Sequence, residues 1–364
     1  MATQTAQPSP STEPSGLDPA AVASFQAHLA QSKRIVAVLG AGLSVASGLG
    51  TFRGTGGYWR DYDVRMVATP AGWKRDPGLN WQFYAERRRE ALRAEPNPAH
   101  RALAALAKLQ PGFVALSQNV DGLLQRCGMG EGGAKGQLKL LHGNLFDLRC
   151  AGGCGYFERD NFNDPLCPAL GEGMEDKARN VLGARVEHRN GEVTRSAKIT
   201  ALLFEGIVAK NRKILGDRFE DAPPTAADAV PLKAPGEIAA KVPDMAPELH
   251  SGINKADLPQ CPGCKSDLLR PAVVWFGEGL PKDVVEEVDV LFEERDKIDL
   301  CLVIGTSSIV WPAAGYAERA RKKGARIAVV NTNPDDAKNV REGDWLFVGD
   351  AAKVVPEILG DYVH

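Results

Sequence analysis

Short unbroken runs of apolar residues recur along the chain, separated by longer stretches of mixed character. Within each run the apolar positions follow one another instead of alternating with polar ones. Such runs predict strands that are buried on both faces of a parallel sheet. The runs cover residues 34–39, 112–116, 300–304 and 325–330, and 345–348 adds a late strand.

Helical patterns lie between several of these runs. Apolar residues at helical spacing predict helices over 19–31, 99–109, 284–297 and 313–323. Strands that alternate with helices predict an open α/β sheet. In such sheets ligands bind beyond the carboxyl ends of the strands.

Two regions depart from this alternation, and we expect both to fold as modules on top of the sheet. Residues 51–97 hold glycines, aromatic residues and a basic helix, and residues 145–270 hold four of the seven cysteines. Within the second region, residues 171–258 lack a clear period and read as an insertion that is partly disordered. A mis-joined exon is the alternative. Residues 1–20 predict a disordered tail.

Composition narrows the function classes. Apolar residues make up 44% of the chain, charged residues 25%, and the net charge is −2. These values are typical of a soluble globular protein and do not indicate binding dominated by nucleic-acid phosphates. No apolar run approaches the roughly 20 residues of a membrane helix. The tail holds no Lys or Arg, which argues against a mitochondrial presequence and favours the cytoplasm or nucleus.

The cysteines are best explained as metal ligands. Their number, seven, is odd, and a reducing compartment disfavours disulfides. Cys150 and Cys154 form one closely spaced pair, and Cys261 and Cys264 form another, each with glycines between them. Four thiolates satisfy tetrahedral zinc, so we predict one structural Zn²⁺. Unrelated buried cysteines are the alternative, and Cys301, inside a strand, is expected to be packing.

Glycines follow the first apolar run. Gly40-Ala41-Gly42-Leu43-Ser44 lies between a predicted strand and a helix, which is the context of a phosphate-binding turn. A standard dinucleotide fingerprint would carry a further glycine where Val45 stands, so a plain tight turn stays open. The glycine-rich stretch 48–59 that follows predicts a loop able to close over a cofactor, or an ordinary surface loop.

Polar residues follow other predicted strands and can reach the same ligand. They are Gln118, Asn119 and Asp121, then Gly305, Thr306 and Ser307, and finally Asn331, Thr332 and Asn333. His142 comes shortly after the first of these groups. Each group also has a plain interpretation as loop caps, and a lone histidine is often structural.

Taken together, these segments resemble the sirtuin family of NAD-dependent protein-lysine deacylases. The shared motifs are Gly-Ala-Gly-x-Ser, Phe-Arg-Gly, Gln-Asn-Val-Asp, His-Gly, the two Cys pairs, Val-Trp-Phe-Gly, Gly-Thr-Ser and Asn-Thr-Asn, in the family's order across residues 22–364. The resemblance implies an α/β fold. It consists of a Rossmann-like parallel sheet (22–50, 98–144 and 271–364), a helical cofactor-loop module (51–97) and a smaller zinc-binding module (145–270).

The resemblance also implies the chemistry. The acyl oxygen displaces nicotinamide from NAD, and His142 acts as general base on a ribose hydroxyl, which yields nicotinamide, free lysine and O-acyl-ADP-ribose. The acyl-lysine peptide pairs as a strand with Val274, Trp275, Phe276 and Gly277. The implied NAD-binding residues are Gly40, Ala41, Gly42, Ser44, Thr51, Phe52, Arg53, Trp59, Gln118, Asn119, Asp121, Gly305, Thr306, Ser307, Asn331, Thr332, Asn333 and Ala351.

Within the family the sequence is most similar to the class that removes succinyl, malonyl and glutaryl groups. That class carries Tyr-x-x-Arg, here Tyr84 and Arg87, and Thr51 also matches it. Positions i and i+3 share a helix face, so a phenol and a guanidinium can meet one carboxylate there. A solvated basic helix is the alternative.

Other functions stay open. The same scaffold supports an ordinary deacetylase, a mono-ADP-ribosyltransferase or an inactive NAD-binding protein. Acylated proteins or peptides are the expected partners, with neither direct nucleic-acid binding nor membrane association. Because acidic acyl marks are often mitochondrial in the family, the mitochondrion is the alternative compartment. The sequence leaves the oligomeric state open.

Overall fold

The computed structural model describes residues 16–51, 58–59, 62–130, 136–171, 251–294, 297–306, 315–337 and 340–363. The strands in this part of the chain are β1 (Ile35–Leu39), β2 (Tyr58–Trp59), β3 (Tyr62–Asp63), β4 (Phe113–Ser117), β5 (Leu138–Leu140), β6 (Gly143–Cys150), β7 (Phe157–Glu158), β8 (Leu269–Val273), β9 (Leu300–Ile304), β10 (Arg326–Asn331) and β11 (Trp345–Val348).

The α-helices of the described residues are α1 (Pro19–Gln31), α2 (Val64–Val67), α3 (Pro70–Arg75), α4 (Pro77–Arg93), α5 (Pro98–Leu109), α6 (Leu123–Arg126), α7 (Lys282–Glu294), α8 (Tyr316–Lys322) and α9 (Ala351–Leu359). Short 3₁₀ turns lie at Ala41–Ser47, Pro168–Leu170, Lys255–Asp257, Pro334–Ala337 and Gly360–Val363. None of these helices is long and apolar enough to cross a bilayer.

The main sheet has six parallel strands in the order β11-β10-β9-β1-β4-β5. Counted along the chain, this is the doubly wound order of dinucleotide-binding folds. The predicted parallel sheet is confirmed. The chain leaves β1 in one direction through β4 and β5 and returns on the other side through β9. The carboxyl ends of β1 and β9 therefore flank the point where a ligand crevice forms.

Helix boundaries follow local signals. Helix α1 spans the predicted residues and begins after Asp18, whose carboxylate accepts the Ala20 N–H at 3.0 Å. Helix α5 begins after Asn97 with Pro98 in its first turn. Helix α7 runs two residues earlier than predicted and ends at Glu294, which agrees with the usual uncertainty at helix ends.

Helices cover both faces of the main sheet. On one face α1, α5 and α9 contribute Phe25, Leu103 and Ile358 to a continuous buried cluster. On the other face α7 and α8 contribute Phe292 and Tyr316. All positions of β1, β4 and β9 are buried, as their unbroken apolar runs predicted.

A third buried cluster lies under the antiparallel sheet β7-β6-β8. It combines residues of the predicted helical module, such as Trp81 of α4, with residues of the predicted zinc module, such as Leu148 and Leu258. The Trp81 indole N–H donates to the Leu269 carbonyl at 2.9 Å. The two modules thus share one core. Their predicted boundaries stay a prediction, and residues 172–250 lie outside the described part.

Candidate active site

Loops from four strands of the main sheet meet at its carboxyl edge. They are the turn from Gly40 to Ser44 after β1, residues 118–121 after β4, Gly305 and Thr306 after β9, and residues 331–333 at the end of β10. These are the polar segments that the sequence analysis singled out, and the fold brings them together at the switch point.

Glycines allow two of these loops to touch. A Cβ at Gly40 would lie 2.6 Å from the Thr306 Cβ, and one at Gly42 would lie 2.6 Å from the Gly305 Cα. Gly305 itself has φ +61°, a conformation that favours glycine. The Gly42 N–H donates to the Gly305 carbonyl at 2.8 Å. The glycine pattern therefore serves close backbone approach as well as room for a ligand.

Side-chain amides join the same loops. The Gln118 amide donates to the Thr306 hydroxyl at 3.2 Å, and the Asn331 amide donates to the Thr306 carbonyl at 3.1 Å. The Asn119 amide donates to the Gly40 carbonyl at 3.1 Å. These bonds hold the edge of the site in one arrangement.

Ser44 is buried at the centre of a hydrogen-bond network. Its hydroxyl donates to the Asp121 carboxylate at 2.7 Å. It accepts from the Asn119 amide at 3.3 Å and contacts the His100 Nε2 at 3.3 Å. Burial raises the pKa of Asp121, while hydrogen bonds from Ser44 and the Leu123 N–H oppose that rise.

His100 completes this network and was missed by the sequence analysis. Its Nδ1 accepts the Asn97 N–H at 3.3 Å, so the neutral ring carries its proton on Nε2 and donates to Ser44. Burial, with the charge of Arg101 adding to it, lowers the pKa of His100 to about 4. The available signal was Asn97-Pro98 followed by a histidine in the first helical turn, which is a capping pattern.

His142 lies between the end of β5 and the start of β6. Its Nδ1 is 3.0 Å from the Gln118 carbonyl, which can only accept, so Nδ1 carries the proton and Nε2 has a lone pair. Burial lowers the pKa of His142, and the Gln118 carbonyl partly opposes this. The ring is thus a neutral base whose orientation is set by its own neighbour in the site.

The predicted substrate segment follows β8 and lies directly beside His142. The Val274 N–H donates to the His142 carbonyl at 2.9 Å. Trp275 is buried, and Phe276 is 39% exposed. The φ angle of Gly277 is +91°, a left-handed backbone conformation that glycine adopts more easily than other residues.

An ion pair that the sequence analysis did not predict fixes this segment. Arg270 and Glu278 form a bidentate pair at 2.6 and 2.9 Å, and Glu278 also accepts the Trp275 N–H at 3.0 Å. The Arg270 guanidinium stacks on the Trp275 ring, 3.1 Å from its centroid. Burial alone would raise the pKa of Glu278, but Arg270, the Trp275 N–H and Arg149 together leave that pKa below its ordinary value.

Tyr84 and Arg87 lie on helix α4, whose Tyr84 face packs near this segment. Tyr84 is buried, and burial raises the pKa of its hydroxyl, with the Arg270 charge opposing. Arg87 is 23% exposed and pairs with Glu90 at 2.9 Å. Its Nε is buried and has no hydrogen-bond partner among the described residues.

The next two arginines contradict the alternative of a solvated basic helix. Arg88 is 1% and Arg89 is 6% exposed. Arg88 donates to the carbonyls of Leu145 and Asn161, each at 2.6 Å, and Arg89 donates to the Leu170 carbonyl at 2.8 Å. These guanidinium groups bind backbone carbonyls in and around the antiparallel sheet. The side of α4 that carries Arg88 and Arg89 is therefore packed against that sheet and is not exposed to solvent.

The four predicted zinc ligands converge. The Sγ atoms of Cys150 and Cys264 are 3.7 Å apart, those of Cys154 and Cys261 are 3.6 Å apart, and all four lie within 4.8 Å of one another. Four sulfurs around one Zn²⁺ at the usual bond length would be about 3.8 Å apart. Hydrogen bonds from Ser266 lower the pKa of Cys264 to about 6, while contacts with the other three thiols raise the pKa of Cys154 to about 12. Cys264 is therefore the thiol of the cluster that becomes a thiolate most readily. The cluster fits one structural zinc.

The remaining predicted residues are placed as follows. Ala41 lies in the first turn, Ala351 is the buried first residue of α9, and Thr332 and Asn333 are exposed beyond β10. Thr51 is half-buried at the end of the described turn. Trp59 has only its backbone described, in β2, and Phe52, Arg53 and Ser307 lie outside the described residues. Cys301 is buried in β9, as predicted.

Comparison with known proteins gives consistent matches. A family model described as "Sir2 family" matches residues 40–170 and 240–312. An NAD-dependent protein deacylase of Candida albicans is 38% identical over 344 residues, covering 92% of this chain and 95% of the relative. The dog protein named NAD-dependent protein deacylase sirtuin-5, mitochondrial, is 34% identical over 349 residues, covering 94% of this chain and 86% of the relative.

Solved structures agree. The crystal structure of a Sir2 homologue in complex with NAD matches with a TM-score of 0.59 at 26% identity, covering 95% of this chain and 94% of that one. A Sir2 homologue mutant in complex with 2'-O-acetyl ADP ribose gives the same TM-score, 0.59, over 94% of this chain and 95% of that one.

Proposed function

Because this chain belongs to the Sir2 family, we propose that it is an NAD-dependent protein-lysine deacylase that removes acidic acyl groups such as succinyl, malonyl and glutaryl from lysine. The observation that carries the acyl preference is the Arg87 guanidinium. Arg87 follows Tyr84 by three positions on α4, so the two share a helix face, and Tyr84 packs near the substrate segment. The buried Nε of Arg87 has no hydrogen-bond partner among the described residues.

The carboxyl edge of the main sheet has the donor set that NAD requires. The glycine turn before a helical turn suits a pyrophosphate, and amide and hydroxyl side chains suit ribose hydroxyls. We assign NAD binding to the turn from Gly40 to Ser44 together with Asn119, Asp121 and Thr306. When bound, NAD supplies an electrophilic ribose carbon with nicotinamide as its leaving group.

His142 is assigned as the general base. Its Nδ1–H is held by the Gln118 carbonyl at 3.0 Å, which aims the Nε2 lone pair away from that bond. The lowered pKa keeps the ring neutral near physiological pH. A neutral, oriented imidazole can accept a proton from a hydroxyl group next to it. A His142→Tyr variant that deacylates at the normal rate would overturn this assignment.

The acylated peptide is assigned to residues 274–277. The Val274 N–H already binds the His142 carbonyl, so a peptide that pairs with this segment lies beside the base. Tyr84, Trp275 and Arg270 pack together under it. An acyl chain on the peptide lysine would then point toward α4, where the phenol and the guanidinium can share its carboxylate.

The zinc cluster has a structural role in this proposal. Cys150 is the last residue of β6, Cys154 follows it, and Cys261 and Cys264 precede β8. The cluster therefore lies away from the carboxyl edge of the main sheet. Zinc would therefore hold the antiparallel sheet together and take no part in the reaction.

The decisive experiment compares acetyl-, succinyl- and malonyl-lysine versions of one peptide with NAD and purified protein. We expect larger kcat/KM values for the acidic groups, and we expect Arg87→Met to abolish that preference while acetyl turnover persists. A preference for acetyl in the unaltered protein would leave an ordinary deacetylase. Absence of turnover on every peptide would favour an inactive NAD-binding scaffold.

The compartment belongs to the same proposal. The dog and zebrafish relatives are named mitochondrial proteins, which supports the mitochondrial alternative over the cytoplasm and nucleus. Imaging of a protein tagged at its carboxyl end, alongside a mitochondrial marker, tests this point.

A further inference from the structure

The Arg87 guanidinium, which would bind an acidic acyl chain, already has one carboxylate beside it, that of Glu90. A Glu90 Oε2 atom lies 2.9 Å from the Arg87 Nη1. Both residues are on α4, three positions apart, and their side chains are 23% and 40% exposed. The contact is to a single nitrogen and is not a bidentate pair.

A guanidinium offers more than one edge to carboxylates. Its five N–H groups form a planar fork, and Nε shares one edge with the nitrogen that Glu90 does not contact. The Nε of Arg87 is buried without a partner among the described residues. The Arg87 side chain is still 23% exposed, so a second carboxylate that reaches this guanidinium would share it with Glu90, which stays on Nη1.

Neighbouring arginines do not offer such an edge. Arg88 donates to three backbone carbonyls, and Arg89 donates to the Leu170 carbonyl and lies 3.7 Å from Asp164. Both are buried. Arg270 and Glu278 also act on Tyr84, but they are already closed into a bidentate pair with each other. Among the arginines of α4, Arg87 with Glu90 is therefore the pair that an acyl chain near Tyr84 can still engage.

We infer that Glu90 determines how strongly the site prefers acidic acyl groups. Its negative charge repels a carboxylate that approaches the same guanidinium, so it weakens the binding of succinyl and malonyl chains. It also neutralises Arg87 when the acyl chain is uncharged, so it makes acetyl groups easier to accept. Glu90 therefore reduces the difference in kcat/KM between peptides with acidic acyl groups and peptides with acetyl groups. This inference rests on the proposed function of Arg87.

The test is Glu90→Gln, which removes the charge and keeps the shape. We expect the ratio of kcat/KM for succinyl- over acetyl-lysine on one peptide to rise about two- to fivefold, the range expected for a partly exposed ion pair. The change should come mainly from a lower KM for the succinyl peptide and should shrink at high salt. Glu90→Ala should shift the ratio in the same direction.

Glu95→Gln is the matched control. Glu95 pairs with Arg126 at 3.0 Å, nearly the same distance, beyond the end of α4. Its loss should leave the ratio unchanged. Because the ratio compares two substrates on one preparation, a partly unfolded sample does not alter it.

The outcomes separate the two proposals. An unchanged or lower ratio in both Glu90 variants, with Arg87→Met still abolishing the preference, overturns the role of Glu90 and leaves the acyl reader intact. If Arg87→Met keeps the succinyl preference, Arg87 is not the acyl reader and the inference about Glu90 falls with it, whereas a preference for acetyl in the unaltered protein overturns the proposed function itself.

Discussion

Three consecutive arginines on α4 differ in burial and hydrogen bonding because their surroundings differ. Arg88 and Arg89 are buried and bind backbone carbonyls, whereas Arg87 is partly exposed and keeps an unpartnered Nε. The sequence shows only a basic stretch at this place. Which arginine stays partly exposed depends on the packing of the helix, and the Tyr-x-x-Arg pattern singled out Arg87 only through family resemblance.

The pKa of His142 leads to a pH prediction. Burial favours the neutral imidazole and lowers the pKa, so the base is lost only when the pH falls through a value below the ordinary one of about 6.5. We expect the acidic limb of the kcat/KM profile for deacylation to lie below that pH. A limb at or above it, measured at constant ionic strength, would contradict the assignment of His142 as a neutral buried base.

Gly42→Ala tests the contact between the glycine turn and the loop after β9. The added Cβ would meet the Gly305 Cα at 2.6 Å and its carbonyl oxygen at 2.9 Å, and backbone atoms cannot rotate away. We expect a loss of about 1–3 kcal/mol in unfolding free energy and weaker NAD binding.

Gly50→Ala is the control for that substitution, because a Cβ at Gly50 would meet none of the described residues within 4 Å. Thermal unfolding and NAD titration of both variants check the prediction. Equal stability of the two variants would show that the loops separate at little cost.

At the scale of elements, five of the six strands of the main sheet could be predicted, whereas the short strand β5 (Leu138–Leu140) and the antiparallel sheet could not. β1, β9 and β10 are unbroken apolar runs, which a doubly covered sheet requires. β6 mixes Asn144, Asp147 and Arg149 with apolar residues and has an irregular register with β8 between Asn144 and Leu148. The pairing of β6 with β8 depends on residues that are distant in sequence, so no local pattern predicts it.

The site shows the same division. Residues that follow apolar strands were found because a parallel sheet places all carboxyl ends at one edge. His100, Arg270 and Glu278 were missed because their roles come from contacts made only in the folded chain, such as the bond from His100 to Ser44. The convergence of the four cysteines could be predicted because their spacing is local within each pair.

The Arg270–Glu278 pair predicts strong coupling within the substrate segment. Arg270→Met leaves a largely buried Glu278 with only the weaker Arg149 contact at 3.5 Å, and we expect a loss of about 3 kcal/mol in unfolding free energy. Arg270→Met with Glu278→Gln should lose clearly less than the sum of the single variants. Additivity within about 0.5 kcal/mol in denaturant unfolding would contradict the coupling.

At the scale of the whole molecule, one strand connects the base to the metal cluster. β6 begins next to His142 and ends at Cys150, and β8 pairs with it before entering the substrate segment. Damage at the zinc end should therefore reach the site by loosening this sheet, with no change in which acyl group is preferred.

Cys264→Ser tests that connection. We expect the variant to lose zinc, to unfold at a lower temperature and to lose activity on succinyl and acetyl peptides in equal proportion. Zinc content, thermal unfolding and the ratio of the two kcat/KM values check this. Cys127→Ser, outside the cluster, should keep its zinc, and a changed acyl ratio in Cys264→Ser would contradict a purely structural metal.

Both ends of the segment 172–250 are fastened to the same helix. The Leu170 carbonyl is held by Arg89 of α4, and the Ser251 N–H and hydroxyl are held by Asp76, which caps that helix. The cost of closing a chain between two fixed ends grows only with the logarithm of its length, by about 0.6 kcal/mol per doubling. Natural selection should therefore tolerate insertions and deletions in the gene at this junction, because they change the stability of the surrounding fold very little.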